Sequence, residues 1–290
     1  MIKYSIKDLE RISGIKAHTI RIWEQRYAVL NPTRTETNIR EYRCADLRKL
    51  ITFGVLNSRG MKISKLVQLS EQELSDQMLE FSRCCDDTEL HIKSLKNAMV
   101  ALDENQFEDI LEYNIGVKGV EETLEKVLYP FLKRIGTLWQ LGSITPTQKH
   151  FITHLIRQKL IAAIDECPSN REANAKTMLA FLPEGEWFEL SLLFYAYKAK
   201  SHGVKLTYLG QSTPYEGMMG AATILNPDFI LTSFTQCINI DEILAFAKSI
   251  SEDLPGQTII FGGLQCSDLH IPEKNVHVLQ QVEQLSKWID

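Results

Sequence analysis

Residues 177–203 read TMLAFLPEGEWFELSLLFYAYKAKSHG. An apolar run of strand length comes first, a turn over 182–191 interrupts it, and the pattern from residue 192 onward is helical. Strand, turn and helix in that order open a doubly wound sheet, and the turn at the carboxyl end of a parallel strand is where open α/β sheets hold ligands. This turn presents Trp187 and Phe188 but neither histidine nor lysine. Working outward, further strands are predicted at 204–209, 229–235, 258–262 and 276–279. Each of the first four strands is followed by a helical pattern or a loop into one, so the order is βαβαβαβα and the sheet is parallel.

The chain has 290 residues, 44% hydrophobic and 24% charged, which suits two or three globular domains and excludes disordered and collagen-like classes. Its start, MIKYSIKDLE, has no apolar core of a signal peptide, and no window reaches the length of a spanning helix, so a cytoplasmic protein without a membrane partner is expected. The six cysteines (44, 84, 85, 167, 237 and 266) show no C-x-x-C and no Cys/His cluster; they read as reduced and structural, and no metal site is expected. Cys84 and Cys85 are adjacent, a geometry that rarely bridges.

Charge is divided unevenly. Residues 1–70 hold 14 Lys+Arg against 6 Asp+Glu, a net of +8, whereas the remaining 220 hold 18 against 31, a net of -13. A basic head on an acidic body suggests that the head meets a polyanion. In YSIKDLERISGIKAHTIRIWEQRYAVL (4–30), Ile6, Leu9 and Ile12 recur at helical spacing behind a Ser5 N-cap, and Gly14 breaks the run. A second helix is predicted from about Ala17 to Arg26, burying Ile20, Trp23 and Tyr27 and leaving His18, Arg21 and Gln25 outward. Such a pair suits the DNA major groove, with the second helix reading base edges. NPTRTETNIREY (31–42) then reads as a small β-wing turning at Thr37-Asn38, whose Arg34, Arg40 and nearby Arg43 can clamp phosphates. Two more helices are predicted around Gly60. Trp23 falls on the buried stripe, whereas Arg21, Arg26 and His18 could be DNA contacts or ordinary surface groups.

Residues 4–69 resemble the DNA-binding domain of the MerR family of bacterial transcription regulators. TIRIWEQRY (19–27), NPTRT (31–35), REY (40–42) and GMKI (60–63) carry the likeness. Asn38-Ile39 departs from the family's Gly-Tyr before the wing arginine. The resemblance implies a DNA-contacting set of Lys16, His18, Thr19, Arg21, Arg26, Tyr27, Arg34, Arg40 and Tyr42.

From 71 to 166 the pattern is helical, with helices predicted at about 71–83, 88–102, 104–114, 119–137 and 146–166, the last starting at Thr145-Pro146. Within it, Trp139 is followed after nine residues by Lys149-His150. The stretch is similar to the helical cap of the light-responsive, cobalamin-dependent repressors of the same family, which have Glu-His at that point. His150 and His154 stand one helical turn apart, but no third ligand is in view.

The α/β body resembles cobalamin-binding domains, whose frame is D-x-H-x-x-G, then S-x-L, then G-G. Here the first element falls on residues 186–191, the second 41 residues on at Ser233-Phe234-Thr235, and the third 26 further at Gly262-Gly263. Phe188 stands where the family has the histidine that donates nitrogen to cobalt, and Ser191 replaces the last Gly. A phenyl ring has no lone pair to give. The two glycines could equally serve a strand-to-helix turn, and Ser233 a loop hydrogen bond. The degenerate cofactor set is Trp139, His150, Phe188, Ser233, Gly262 and Gly263. No cofactor is expected; cobalamin, if held, would lack its lower histidine.

These readings give a multidomain α and α/β protein: a winged helix-turn-helix head over 1–70, a helical bundle over 71–170, and a doubly wound parallel-sheet, cobalamin-binding-like domain over 171–290. The resemblance implies a sequence-specific regulator, expected to repress, bound as a homodimer to double-stranded promoter DNA. RNA polymerase or a protein antagonist is a further candidate partner, and no catalytic residue is assigned. The alternative is a corrinoid-dependent methyltransferase or mutase module, which would need the missing histidine and a substrate barrel. A third reading is a ligand-free adaptor whose acidic body recruits a protein.

Overall fold

The computed structural model describes residues 3–35, 37–84, 87–170, 172, 174–235 and 239–289. The chain forms two compact units, Met1–Leu155 and Ile156–Asp290. No helix among the described residues is long and apolar enough to cross a membrane. Cys85 and Cys237 lie outside the described residues.

In the first unit, β1 (Lys3–Tyr4) leads into α1 (Ile6–Ser13). Ser5 and Asp8 form a reciprocal capping box: the Ser5 hydroxyl accepts from Asp8 N–H and the Asp8 carboxylate from Ser5 N–H. Gly14, at φ +76, ends α1 in the left-handed conformation that a Cβ would disfavour. α2 (Ala17–Tyr27) buries Ile20 and Trp23, but Tyr27, expected in the core, lies in the last turn and is only half-buried. β2 (Thr33–Arg34) and β3 (Arg40–Arg43) form the wing, and β1 pairs with the other edge of β3. α3 (Cys44–Ser58) and the short α4 (Ile63–Leu66) complete the head.

The bundle follows as α5 (Glu71–Cys84), α6 (Thr88–Ala101), α7 (Glu104–Lys118), α8 (Val120–Thr123), a π-helical turn at Leu124–Leu128, α9 (Tyr129–Gln140) and α10 (Pro146–Glu166). α7 runs past the predicted end at 114 to Gly119, whose φ of +82 stops it. The helix predicted over 119–137 continues to Gln140, which places Trp139 on a helix rather than in a loop.

Head and bundle are not separate bodies. α3 packs on α6, with Val55 of α3 and Leu90 of α6 in one buried cluster. Polar links cross it as well: Gln148 Nε2 donates to the Tyr4 hydroxyl at 2.7 Å, Ser143 Oγ to Asp8 at 2.9 Å, and Lys96 Nζ to the Ile12 carbonyl at 2.7 Å.

The second unit contains β4 (Thr177–Pro183), α11 (Leu190–Ser201), β5 (Lys205–Thr213), α12 (Tyr215–Leu225), β6 (Phe229–Ser233), α13 (Ile240–Asp253), β7 (Thr258–Gly262), β8 (Val276–Val278) and a terminal helix α14 (Ser286–Ile289). The sheet order is β5-β4-β6-β7-β8 and every pairing is parallel. The strand order reverses between β4 and β6, and that switch point defines the crevice where doubly wound folds bind. Leu179, Phe181, Ile230, Ile259 and Phe261 meet Met218 and Ala222 of α12 and Ile243, Ala247 and Ile250 of α13 in one core. One expectation fails: β7 is followed by turns over 264–268 rather than by a helix, so the alternation stops a step early.

Lys96 generates a prediction. It is 7% exposed, and its pKa is pushed down to about 8, first by burial and then by Arg134 and Lys93, with Glu89 opposing. The unfolded chain therefore binds the proton more tightly than the folded one between about pH 8 and the ordinary lysine value, and this residue's contribution to stability rises with pH across that window. Thermal unfolding at stepped pH should show the wild type gaining on Lys96→Met from pH 8 to 10; parallel curves would refute the assignment.

Candidate functional site

The outward face of α2 is cationic and unencumbered by the core. Lys16 at its N-cap, His18, Arg21, Gln25 and Arg26 are exposed, Thr19 is half-buried, and the Arg26 guanidinium lies 5.6 Å from the Tyr27 ring centroid. The wing stands beside this helix. At its tip Asn38 takes φ +63, a left-handed position that asparagine tolerates better than other side-chain-bearing residues, and its amide oxygen accepts from exposed Arg34. The departure from a wing-tip glycine is thus accommodated.

What fixes the wing to α2 is Glu24. One carboxylate oxygen accepts from Arg40 Nε at 3.0 Å, the other from the Tyr42 hydroxyl at 2.9 Å. Glu24 raises the Arg40 pKa, and burial followed by the bond to Glu24 raises that of Tyr42. Tyr42 is fully buried, which corrects its assignment as a DNA contact: its ring is core and its hydroxyl braces the wing. Arg40 is likewise committed in part to Glu24, although a third of its side chain remains exposed. Sequence reasoning missed Glu24, whose signal was its place in the Trp-Glu pair of the helix motif.

In the bundle, Lys149 Nζ lies 4.5 Å from the Trp139 ring centroid, a cation–π arrangement that replaces the acidic residue of the resembling repressors. His150 and His154 are exposed with ring centroids 6.3 Å apart, and among the described residues no group of three His, Cys, Asp or Glu is placed to hold a metal.

The switch-point crevice of the sheet is occupied by the chain's own groups. Glu186 is fully buried; its carboxylate accepts from Phe188 N–H at 3.1 Å and from Thr235 N–H at 2.9 Å, pinning the loop after β4 to the loop after β6. Ser191 Oγ lies 2.7 Å from Ser233 Oγ and 3.2 Å from Thr235 Oγ1, so three hydroxyls satisfy one another across the same gap. Glu189, 4% exposed, pairs with Arg157 and accepts from the Tyr208 hydroxyl, and burial followed by that carboxylate raises the tyrosine's pKa. Phe188 is half-buried, while Trp187 is 60% exposed.

The glycine pair serves internal packing. A Cβ on Gly262 would fall 2.4 Å from the Tyr195 ring, and one on Gly263, at φ +94, would fall 2.3 Å from the Phe234 carbonyl. Tyr195, buried on α11, fills the space that Gly262 leaves. A corrinoid ligated through an imidazole does not fit this crevice as built. The ligating position carries a phenyl ring, and Glu186, Ser191, Ser233 and Thr235 bond one another or the neighbouring backbone.

Residues 4–73 match the model of the MerR HTH family regulatory protein, and residues 91–163 match that of a B12 binding domain. The chain is therefore a helix-turn-helix transcription regulator with a cobalamin-binding-like body. It is homologous to two repressors of Myxococcus xanthus. It is 29% identical to the HTH-type transcriptional repressor CarH over 267 residues, 90% of this chain and 88% of the relative. It is 24% identical to the HTH-type transcriptional repressor CarA over 261 residues, 89% and 86% of the two chains. Among solved structures, the monomethylamine corrinoid protein of Methanosarcina barkeri shares the fold, with a TM-score of 0.58 at 15% identity over 69% of this chain and 97% of that one.

Replacing Tyr42 by Phe keeps the buried ring and removes only the bond to Glu24. The variant should lose roughly 1–2 kcal/mol of stability in urea unfolding, while DNA affinity measured well below its melting point should match the wild type, because the Arg40–Glu24 bond still holds the wing. A selective loss of affinity with unchanged stability would return Tyr42 to the DNA contacts.

Proposed function

We propose that the protein represses transcription by binding a pseudo-palindromic promoter site as a homodimer, with α2 of each protomer in the major groove and the wing on the flanking phosphates. The exposed cationic face of α2 beside a braced wing supports this reading above all. His18, Thr19 and Arg21 are in position to address base edges; Lys16, Arg26, Arg34 and the exposed part of Arg40 address the backbone. Two half-sites a helical turn apart require two heads at fixed separation, which is the reason for a dimer. The relatives' repressor activity supports the sign of regulation, and RNA polymerase or a protein antagonist remains the candidate protein partner.

The body acts without a histidine-ligated corrinoid and without catalysis. Phe188 and the self-bonded crevice of Glu186, Ser191, Ser233 and Thr235 support this reading. The likeness to a methyltransferase-associated corrinoid protein is one of fold, and fold does not carry activity.

Two measurements test these assignments. Arg21→Ala should cost roughly 1–3 kcal/mol at the specific site and relax base preference, while Lys16→Ala should weaken all sequences alike and lower the salt slope by about one; equal behaviour of both with the wild type would place DNA on another face. The wild type, incubated with adenosylcobalamin and desalted, should retain no corrinoid absorbance, whereas Phe188→His with Ser191→Gly should retain more. Colour retained by the wild type would overturn the loss of binding.

A further inference from the structure

α2 carries one exposed residue that neither helix formation nor the core calls for. His18, Ile22 and Arg26 follow one another at steps of four and form a single ridge along the helix, with Arg21 and Gln25 on the ridge beside it. Ile22 is 40% exposed at the middle of its ridge, whereas Ile20, on the opposite side, is fully buried. A β-branched apolar side chain is a poorer helix former than the long polar residues that usually fill solvated positions. Ile22 also lies off the buried stripe of Ile20 and Trp23, so packing does not require it.

The surroundings define what would cover it. His18, Arg21 and Arg26 are exposed around Ile22, and the one carboxylate of α2, Glu24, is turned to Arg40 and Tyr42. An occupant of this face is therefore anionic around its margin and apolar at one point in its middle. A second copy of the same face would set cation against cation. The DNA major groove has the required layout: phosphates form its rims, and the thymine C5 methyl is the alkyl group that a base edge presents on its floor.

We propose that Ile22 reads thymine, packing its side chain on the C5 methyl of one thymine in each half-site. This contact rests on the placement of α2 in the major groove and adds to it a base whose identity is read by shape, without a hydrogen bond. Arg21 and Gln25 supply polar readout on the neighbouring ridge, and Ile22 supplies the apolar part.

The probes for the test are duplexes that the full chain selects from a random-sequence library. Each thymine of a half-site is replaced in turn by deoxyuridine, which removes the methyl and leaves the phosphates and every hydrogen-bonding group in place. At one such position the wild type should lose roughly fourfold in affinity, and roughly fifteenfold when both half-sites are changed. Ile22→Ala, which substitutes a good helix former at an exposed position, should bind the thymine duplex more weakly and lose nothing further with deoxyuridine. Ile22→Val should keep most of the deoxyuridine loss. The proposal is overturned if no deoxyuridine weakens the wild type, or if Ile22→Ala shows the same loss as the wild type. Arg21→Ala separates this contact from the wider reading. If Arg21→Ala weakens binding while Ile22→Ala keeps the deoxyuridine loss, the thymine contact alone falls; if both variants bind like the wild type, α2 does not read the groove and both readings fall.

Discussion

The carboxylate of Glu24 holds the DNA-binding face together. It sits in the last turn of α2, facing the strand that carries the wing arginine, and it accepts from both Arg40 and Tyr42. Charged hydrogen bonds in a partly buried setting are stronger than neutral ones, and removing one partner strands the others. Helix and wing are therefore tied together at two points. Their relative position, which sets the spacing between groove and backbone contacts, is fixed by a side chain that need touch no nucleic acid.

The same economy runs through the rest of the first unit. Buried apolar residues of α3 and α6 pack together, and Lys96, Gln148 and Ser143 add polar ties to Ile12, Tyr4 and Asp8. Lys96 is the costly member, since a buried ammonium sacrifices hydration for one carbonyl and some distant charge.

In the second unit the polar groups at the switch point of the sheet bond one another. Glu186 occupies the position of the acidic residue in the cobalamin motif, but in the absence of a histidine its carboxylate bonds two backbone N–H groups on opposite sides of the switch point. Ser191 supplies a hydroxyl where a glycine would leave room, and Tyr195 packs into the space over Gly262.

The sequence alone determined the architecture. Helical periodicity in the bundle, the capped starts of α1 and α10, the turn at Gly14, and five apolar runs in a βα pattern are local signals, decided by backbone preference and by which face is apolar. Grouping Phe188, Ser233 and Gly262-Gly263 needed more than these signals: it came from the resemblance to the cobalamin-binding frame. Tertiary structure decided what those residues do. That Tyr42 is core, that Arg40 is partly committed, that Gly262 makes room for Tyr195, and that the link from β7 to β8 has no helix all depend on neighbours far along the chain. Burial and hydrogen-bond partnership belong to pairs of residues, and a pattern read along one strand of sequence carries only half of each pair.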